Sequence, residues 1–198
     1  MKNLLAELRT SLLLTLVFAV VLCGAYPLAV WAGAQAFFPR QANGSLVTDA
    51  AGNVRGSALL AQSFTSDGYF QPRASAAGTG YDATSSGGTN LGPTSQKLND
   101  SIKAAIAAYR TANGLAADAA VPADAVTSSG SGLDPHISVA NALAQSGRVA
   151  KARHLTPEAV QQLVAAHTEG RDLGVLGEPR VNVLLLNMAL DAASPKAP

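Results

Sequence analysis

SLLLTLVFAVVLCGAYPLAVW, residues 11–31, decides the architecture of this 198-residue chain. It is the most apolar part of a run from Thr10 to Pro39 that carries no charged side chain. Wound into a helix, the stretch would be about 30 Å long, the thickness of a bilayer's hydrocarbon core. Tyr26 and Trp31 stand at its far end, where interfacial aromatics belong. Pro27 would strain a water-soluble helix, whereas membrane helices tolerate proline. The stretch therefore predicts a transmembrane helix over 11–31. Lys2, Arg9 and the α-amino group precede it against one Glu7, and the next basic residue is Arg40. Positive-inside logic puts residues 1–10 in the cytoplasm and residues 40–198 in an extracytoplasmic domain. A cleaved signal peptide could use Ala32-Gly33-Ala34 or Ala34-Gln35-Ala36, but its apolar region should be shorter. A lipid-modified cysteine needs a small residue before it, and Leu22 precedes Cys23.

Working outward, the rest of the chain is too short for two separate cores. Charged residues are 14% of the sequence, against roughly 25% in soluble proteins. Beyond Pro39 there are twelve Lys/Arg and twelve Asp/Glu, so the domain is neutral and offers nucleic acid no electrostatic footprint. Cys23 is the only cysteine, which excludes an internal disulfide and a cysteine-based zinc cluster.

Leu46-Val47 and Val54 flank a turn at Asp49–Asn53 and predict two strands within 41–56. Residues 74–95, rich in Gly, Ser, Thr and Asn, predict a long loop. Leu98, Ile102, Ile106 and Tyr109 predict a helix over Gln96–Ala112. Residues 113–127 read as connection and Ser128–Pro135 as a second glycine-serine loop. Ile137 to Gln145 predicts a short helix, with Val149-Ala150 continuing the packing. Thr156-Pro157-Glu158 is a helix start, with Val160, Leu163 and Val164 inward and an end near His167. Val181 to Leu190 is a buried strand or an apolar helix. Together these elements predict an α+β domain of short helices and a small sheet behind a single transmembrane helix.

Chemistry-bearing candidates are few. His136, His154 and His167 include no pair at the i, i+4 spacing of a helical zinc site. His154 reads as a solvated member of a basic run with Arg148, Lys151 and Arg153, and His167 as a polar helix-end residue. Ser131 and His136 are the only candidates for an extracytoplasmic hydrolase, yet G-x-S-x-G is absent and Asp134 lies close in sequence. The competing expectation is a tight loop whose Ser and Asp side chains bond backbone amides and cap the helix near Ile137. No phosphate-binding glycine loop occurs.

The segments GSALLAQSF (56–64), GYFQPRASA (68–76), SSGGTNLGPTS (85–95), VTSSGSGLDPHIS (126–138), RVAKARHLT (148–156), HTEGR (167–171) and GEPRVNVLLLNMALD (177–191) carry a family likeness. In their order, behind an N-terminal anchor, the chain resembles the C subunit of the bacterial Kdp-type potassium-transporting ATPase. The resemblance covers nearly the whole chain. It implies a non-catalytic subunit in the inner (plasma) membrane, beside a channel-like potassium-translocating subunit, a P-type ATP-hydrolysing subunit and a small membrane peptide. ATP and potassium would be handled by those partners, with no cofactor held by this chain. The family's role is assembly, together with a catalytic-chaperone effect that raises ATP affinity in the hydrolysing subunit. Its ATP-signature-like Leu-Ser-x-x-Gln corresponds here to Leu155–Ala159, with alanine in place of glutamine. The family fingerprint falls on Gly92, Pro93, Ser131, Asp134, Pro135, His136, Glu178, Pro179, Arg180, Asn182 and Asn187, in structural or interfacial roles.

Overall fold

The computed structural model describes residues 2–194, which fall into two units that meet at Leu46 and Val47.

The first unit is helical. Helix α1 (Lys2–Val20) runs through one wide turn (Val21–Ala25) into α2 (Tyr26–Phe37), and a short α3 (Pro39–Ala42) follows. The apolar helix covers Asn3–Phe37, 35 residues, and buries none of its hydrophobic window within the chain. It is long and apolar enough to cross a membrane, and it extends past both ends of the 11–31 stretch. Two of its hydroxyls bond the helix's own backbone: Thr10 Oγ1 donates to the Ala6 carbonyl at 3.0 Å and Ser11 Oγ to Glu7 at 2.8 Å. The wide turn lies immediately before Pro27, with the Tyr26 amide donating to the Val21 carbonyl five residues back. A π-type turn relieves the clash between a proline ring and the preceding turn without breaking the helix.

The second unit is α+β. It opens with the hairpin of β1 (Leu46–Thr48) and β2 (Val54–Ser57). Asp49 closes the turn by accepting from the Ala51 and Asn53 amides, both at 2.9 Å. Helix α4 (Gln96–Asn113) starts on Ser95, whose Oγ accepts from Leu98, and stops at Gly114 in the left-handed conformation. A three-stranded antiparallel sheet has the order β3-β5-β4, from β3 (His136–Ser138), β4 (Thr168–Glu169) and β5 (Arg180–Asn182). Its register pairs Ile137 and Thr168 with opposite sides of Val181. Against it pack α6 (Val139–Arg153), α7 (Pro157–Ala166) and α8 (Val183–Ala193). The core is aliphatic around one ring: Phe70, Ile137, Ala142, Val149, Val160, Val164, Val181, Leu186 and Leu190.

The sequence reading needs three corrections here. The helix expected over 137–145 is instead a strand through Ile137 followed by a longer helix to Arg153. Its cap is Ser138, whose Oγ accepts from Asn141, and not the Ser131–Asp134 loop. Gly147, which would normally weaken a helix, is accommodated inside it. The connection 113–127 contains one further helical turn, α5 (Ala123–Val126), whose Asp124 accepts from the Ser138 amide, the Ser138 hydroxyl and Asn141 Nδ2. In the basic run His154 is exposed, as expected, while Arg148 and Arg153 are buried.

Residues 74–95 form no helix or strand, and contacts hold them. Ser75 Oγ donates to the Gly132 carbonyl at 2.6 Å and accepts from the Ala77 and Tyr81 amides. Gly87 N–H and Ser86 Oγ both donate to the Ser131 carbonyl, at 2.9 Å. Gly132 is required where these loops touch. Its φ is +69°, and a Cβ there would stand 2.7 Å from the Ala77 nitrogen and the Gly87 oxygen.

Candidate functional site

The segment Asp67–Gln71 is irregular backbone that side chains hold in place. Asn187, on α8, takes both backbone groups of Phe70: its Oδ1 accepts from the amide at 2.8 Å and its Nδ2 donates to the carbonyl at 2.9 Å. Gln145, on α6, does the same for Gln71, at 2.8 and 3.1 Å. Arg148 donates through Nη1 to the carbonyls of Asp67 and Tyr69, and Arg153 donates through Nε to that of Gly68. The two amide clamps mimic a sheet neighbour, which lets an irregular strip lie in the core with its backbone bonded. Arg148 also reaches Asn113 and Gln145, and its burial pushes its pKa down.

Arg153 extends this network to Asp191. Its guanidinium lies 4.6 Å over the Tyr69 ring and pairs with Asp191 at 2.7 Å, while the Tyr69 hydroxyl donates to the same carboxylate. An open cavity of about 740 Å³ lies alongside, walled by Phe64, Leu184 and Met188 with Asp49, Arg55 and Asp191 among its polar lining. A smaller one of about 440 Å³ is bounded by Phe64, Tyr81, Tyr109 and Gln145. The Tyr109 hydroxyl there donates to Asn141 Oδ1 at 2.7 Å. Burial, reinforced by the charge of Asp124, pushes its pKa up.

The second constellation is a charged seam across the three-stranded sheet. Arg73 pairs with Asp134 Oδ2 at 3.0 Å. His136 stands between two carboxylates, with Nδ1 3.6 Å from Asp134 and Nε2 3.7 Å from Glu169. Glu169 also receives Arg180 Nε at 3.1 Å, and Arg180 reaches Asp172 at 3.5 Å. Next to them Arg171 pairs with Glu178 at 2.7 Å. The His136 imidazole, then the His136 amide and Arg73, hold the Asp134 carboxyl down at about 2, against the opposing effect of partial burial. At 3.6 Å the imidazole contact is longer than a hydrogen bond. The 3.0 Å bonds from Arg73 and the amide are the firmer ones.

The structure therefore brings Asp134, His136 and Arg180 together through Glu169, a residue that sequence reasoning did not single out. Glu178 lies on the same seam beyond Pro179. Asn182 turns away from it. It accepts from the Leu185 amide as the cap of α8, and its Nδ2 donates to the Ala58 carbonyl. Pro135 is buried, and its carbonyl accepts from Val183. Gly92 and Pro93 form an exposed turn whose Gly92 carbonyl accepts from the Ser95 amide. Ser131 is exposed, and its Oγ accepts from Leu133. The side-chain partners of His136 are Asp134 and Glu169, so the serine and histidine are not arranged as nucleophile and base. Among the described residues no group of three His, Cys, Asp or Glu is placed to hold a metal ion.

Comparison with known proteins identifies the family. The family described as the K+-transporting ATPase c chain matches residues 8–192. A potassium-transporting ATPase KdpC subunit of Rhodospirillum rubrum is 54% identical over 194 residues, covering 98% of this chain and 100% of that protein. One from Mycobacterium bovis strain BCG is 52% identical over 185 residues, covering 93% of this chain and 97% of the relative. Another, from Myxococcus xanthus, is 56% identical over 178 residues, covering 89% and 84%.

Proposed function

Because this chain belongs to the family of the K+-transporting ATPase c chain, we propose that it is a non-catalytic accessory subunit of an ATP-driven potassium uptake complex. The observation that carries this beyond the family match is the 35-residue apolar helix joined to a domain whose polar side chains bond one another. The helix anchors the chain. Lys2 and Arg9 favour a cytoplasmic N-terminus, which puts the domain beyond residue 40 outside the cytoplasm. Its partners are the channel-like potassium-translocating subunit, the P-type ATP-hydrolysing subunit and the small membrane peptide. These handle potassium and ATP.

Asn187, Gln145, Arg148 and Arg153 are spent on the backbone of Asp67–Gln71, and Arg73, Asp134, His136, Glu169 and Arg180 on each other. That chemistry suits a rigid docking body better than a reaction centre. A rise in ATP affinity of the hydrolysing subunit then follows from assembly, with no nucleotide held on this chain. Purification in mild detergent through a tag on this chain tests the reading. The potassium-translocating and ATP-hydrolysing subunits should be retained, with potassium-stimulated ATPase activity in the complex and none in the chain alone. Recovery of the chain by itself from cells that make all the subunits would sink it.

A further inference from the structure

Beyond residue 40 the chain has five aromatic side chains, and three of them, Phe64, Tyr81 and Tyr109, line the cavity of about 440 Å³. All three are half-buried, and each is held in place. The Tyr81 hydroxyl donates to the Arg73 carbonyl at 2.9 Å, the Tyr109 hydroxyl to Asn141 Oδ1 at 2.7 Å, and Phe64 packs at a tilt on Tyr69. With their hydroxyls spent, the tyrosines offer a ligand mainly ring. The buried amides beside them are spent as well: Gln145 holds Gln71 and Asn141, and Asn141 Nδ2 donates to Asp124. No lining side chain is charged. Behind Asn141, the Asp124 carboxylate accepts three hydrogen bonds but meets no cation at ion-pair distance among the described residues. Its charge acts on the Tyr109 hydroxyl more strongly than the opposing charge of buried Arg148.

We propose that this cavity is an aromatic cage for a quaternary ammonium cation, a trimethylammonium group on a short polar body. Aromatic faces attract a cation that comes within about 6 Å of the ring centroid. A quaternary nitrogen carries no N–H, so it needs no acceptor from a wall whose amide acceptors are taken. A primary ammonium or a neutral polar solute would give up hydrogen bonds to water without replacing them. An anion finds no cation in the lining and meets the field of Asp124. The uncompensated carboxylate also separates the cage from a plain apolar hole, because it favours a cation over a neutral body of the same shape. The volume is ordinary for a small-ligand site, and rings that are already fixed lose little freedom on binding. The proposal stands on the cavity and does not depend on the subunit role. Free solutes and lipid headgroups both carry this group.

The test titrates choline into the full chain in a maltoside detergent, which carries no ammonium group, and reads the choline methyl signal by saturation-transfer NMR. Three ring contacts should give saturation at about millimolar concentration. The neutral carbon isostere 3,3-dimethylbutanol keeps the shape without the charge and should bind at least about tenfold more weakly. Phe64→Leu removes one ring and should weaken choline about tenfold, with the thermal midpoint showing that the variant is folded. The comparison of choline with its isostere needs no variant and decides the matter if Phe64→Leu unfolds. Nanodiscs of phosphatidylglycerol, with and without phosphatidylcholine, separate the two sources. Competition from phosphatidylcholine shows the cage taking a lipid headgroup, and undiminished choline binding shows it taking a free solute. Equal binding of choline and the isostere, equal displacement of choline by potassium, or no saturation below about 0.1 M choline overturns the cage. A folded Phe64→Leu chain that binds choline as well as the unaltered one also overturns it.

Discussion

At the scale of single residues, the domain depends on side chains that bond distant backbone. Asn187 reaches across 117 positions to Phe70, and both are buried. Asn187→Ala removes two bonds at once and orphans a buried amide and a buried carbonyl. Each orphan costs about 1–3 kcal/mol, so the variant should lose about 2–6 kcal/mol, read from its urea midpoint. A loss under about 1 kcal/mol would mean that water replaces the clamp. Asp134 gives a pH signature. Its pKa falls from the ordinary 3.8 to about 2 in the folded state. A depressed carboxyl stabilises the fold fully above the unfolded value and loses that contribution as pH falls toward the folded value. The carboxylate is about a third exposed, which scales the effect down to about 1 kcal/mol at neutral pH. Asp134→Asn should therefore lower the melting temperature at pH 7, and the difference from the unaltered chain should shrink between pH 4 and 2. A constant difference across that range would deny the linkage. Residue types made His136 and Ser131 stand out in the sequence. Asn187 enters only through the family likeness, Arg153 only as a member of a basic run and Gln145 only as a helix end, because their partners lie far away along the chain.

At the scale of elements, what was legible was what is encoded locally. The apolar spacing of Leu98, Ile102, Ile106 and Tyr109 marks α4, and the Thr156-Pro157-Glu158 start marks α7. Helix α6 was misjudged at both ends. Ile137 and Ser138 look helical by apolar spacing, but pairing with Val181 and Arg180 draws them into the sheet. The expected end at Gln145 is passed, because burial of Arg148, Val149 and Arg153 carries the helix on to Arg153. Val181–Leu190 was ambiguous because it is both elements in turn, a strand to Asn182 and a helix from Val183, with the Asn182 side chain as the switch. The cap of α7 can be tested alone. Thr156 Oγ1 accepts from the Ala159 amide at 3.2 Å. Thr156→Ala should cost about 1 kcal/mol in chemical denaturation, while Thr156→Ser should be nearly neutral. Equal losses in both variants would point to the threonine methyl instead of the cap.

At the scale of the whole molecule, the anchor was the plainest feature of the sequence, since hydropathy needs no tertiary information. The proposed effect on ATP affinity in the hydrolysing subunit raises the question of where the nucleotide is held. A nucleotide site needs converging amides, a free cation and room for phosphate. The two glycine loops spend donors on each other: the Gly87 amide and the Ser86 hydroxyl both serve the Ser131 carbonyl. The start of α7, where Leu155–Ala159 stands in for the family's ATP-signature-like string, is no better supplied. Pro157 has no amide hydrogen, Thr156 Oγ1 occupies the Ala159 amide, and Glu158 puts a negative charge in the first turn. Of the nearby cations, Arg153 is buried and committed to Asp191, Gly68 and Ser194, which leaves Lys151 as the exposed one on that run. The neutral domain adds no long-range attraction for a polyanion. The full chain in detergent, titrated calorimetrically with magnesium-ATP, should therefore show no saturable heat. The assembled complex should bind ATP more tightly than the same complex depleted of this subunit. Saturable micromolar binding by the chain alone, abolished by Lys151→Ala, would place the nucleotide on this subunit and reverse the order of cause from assembly to direct contact.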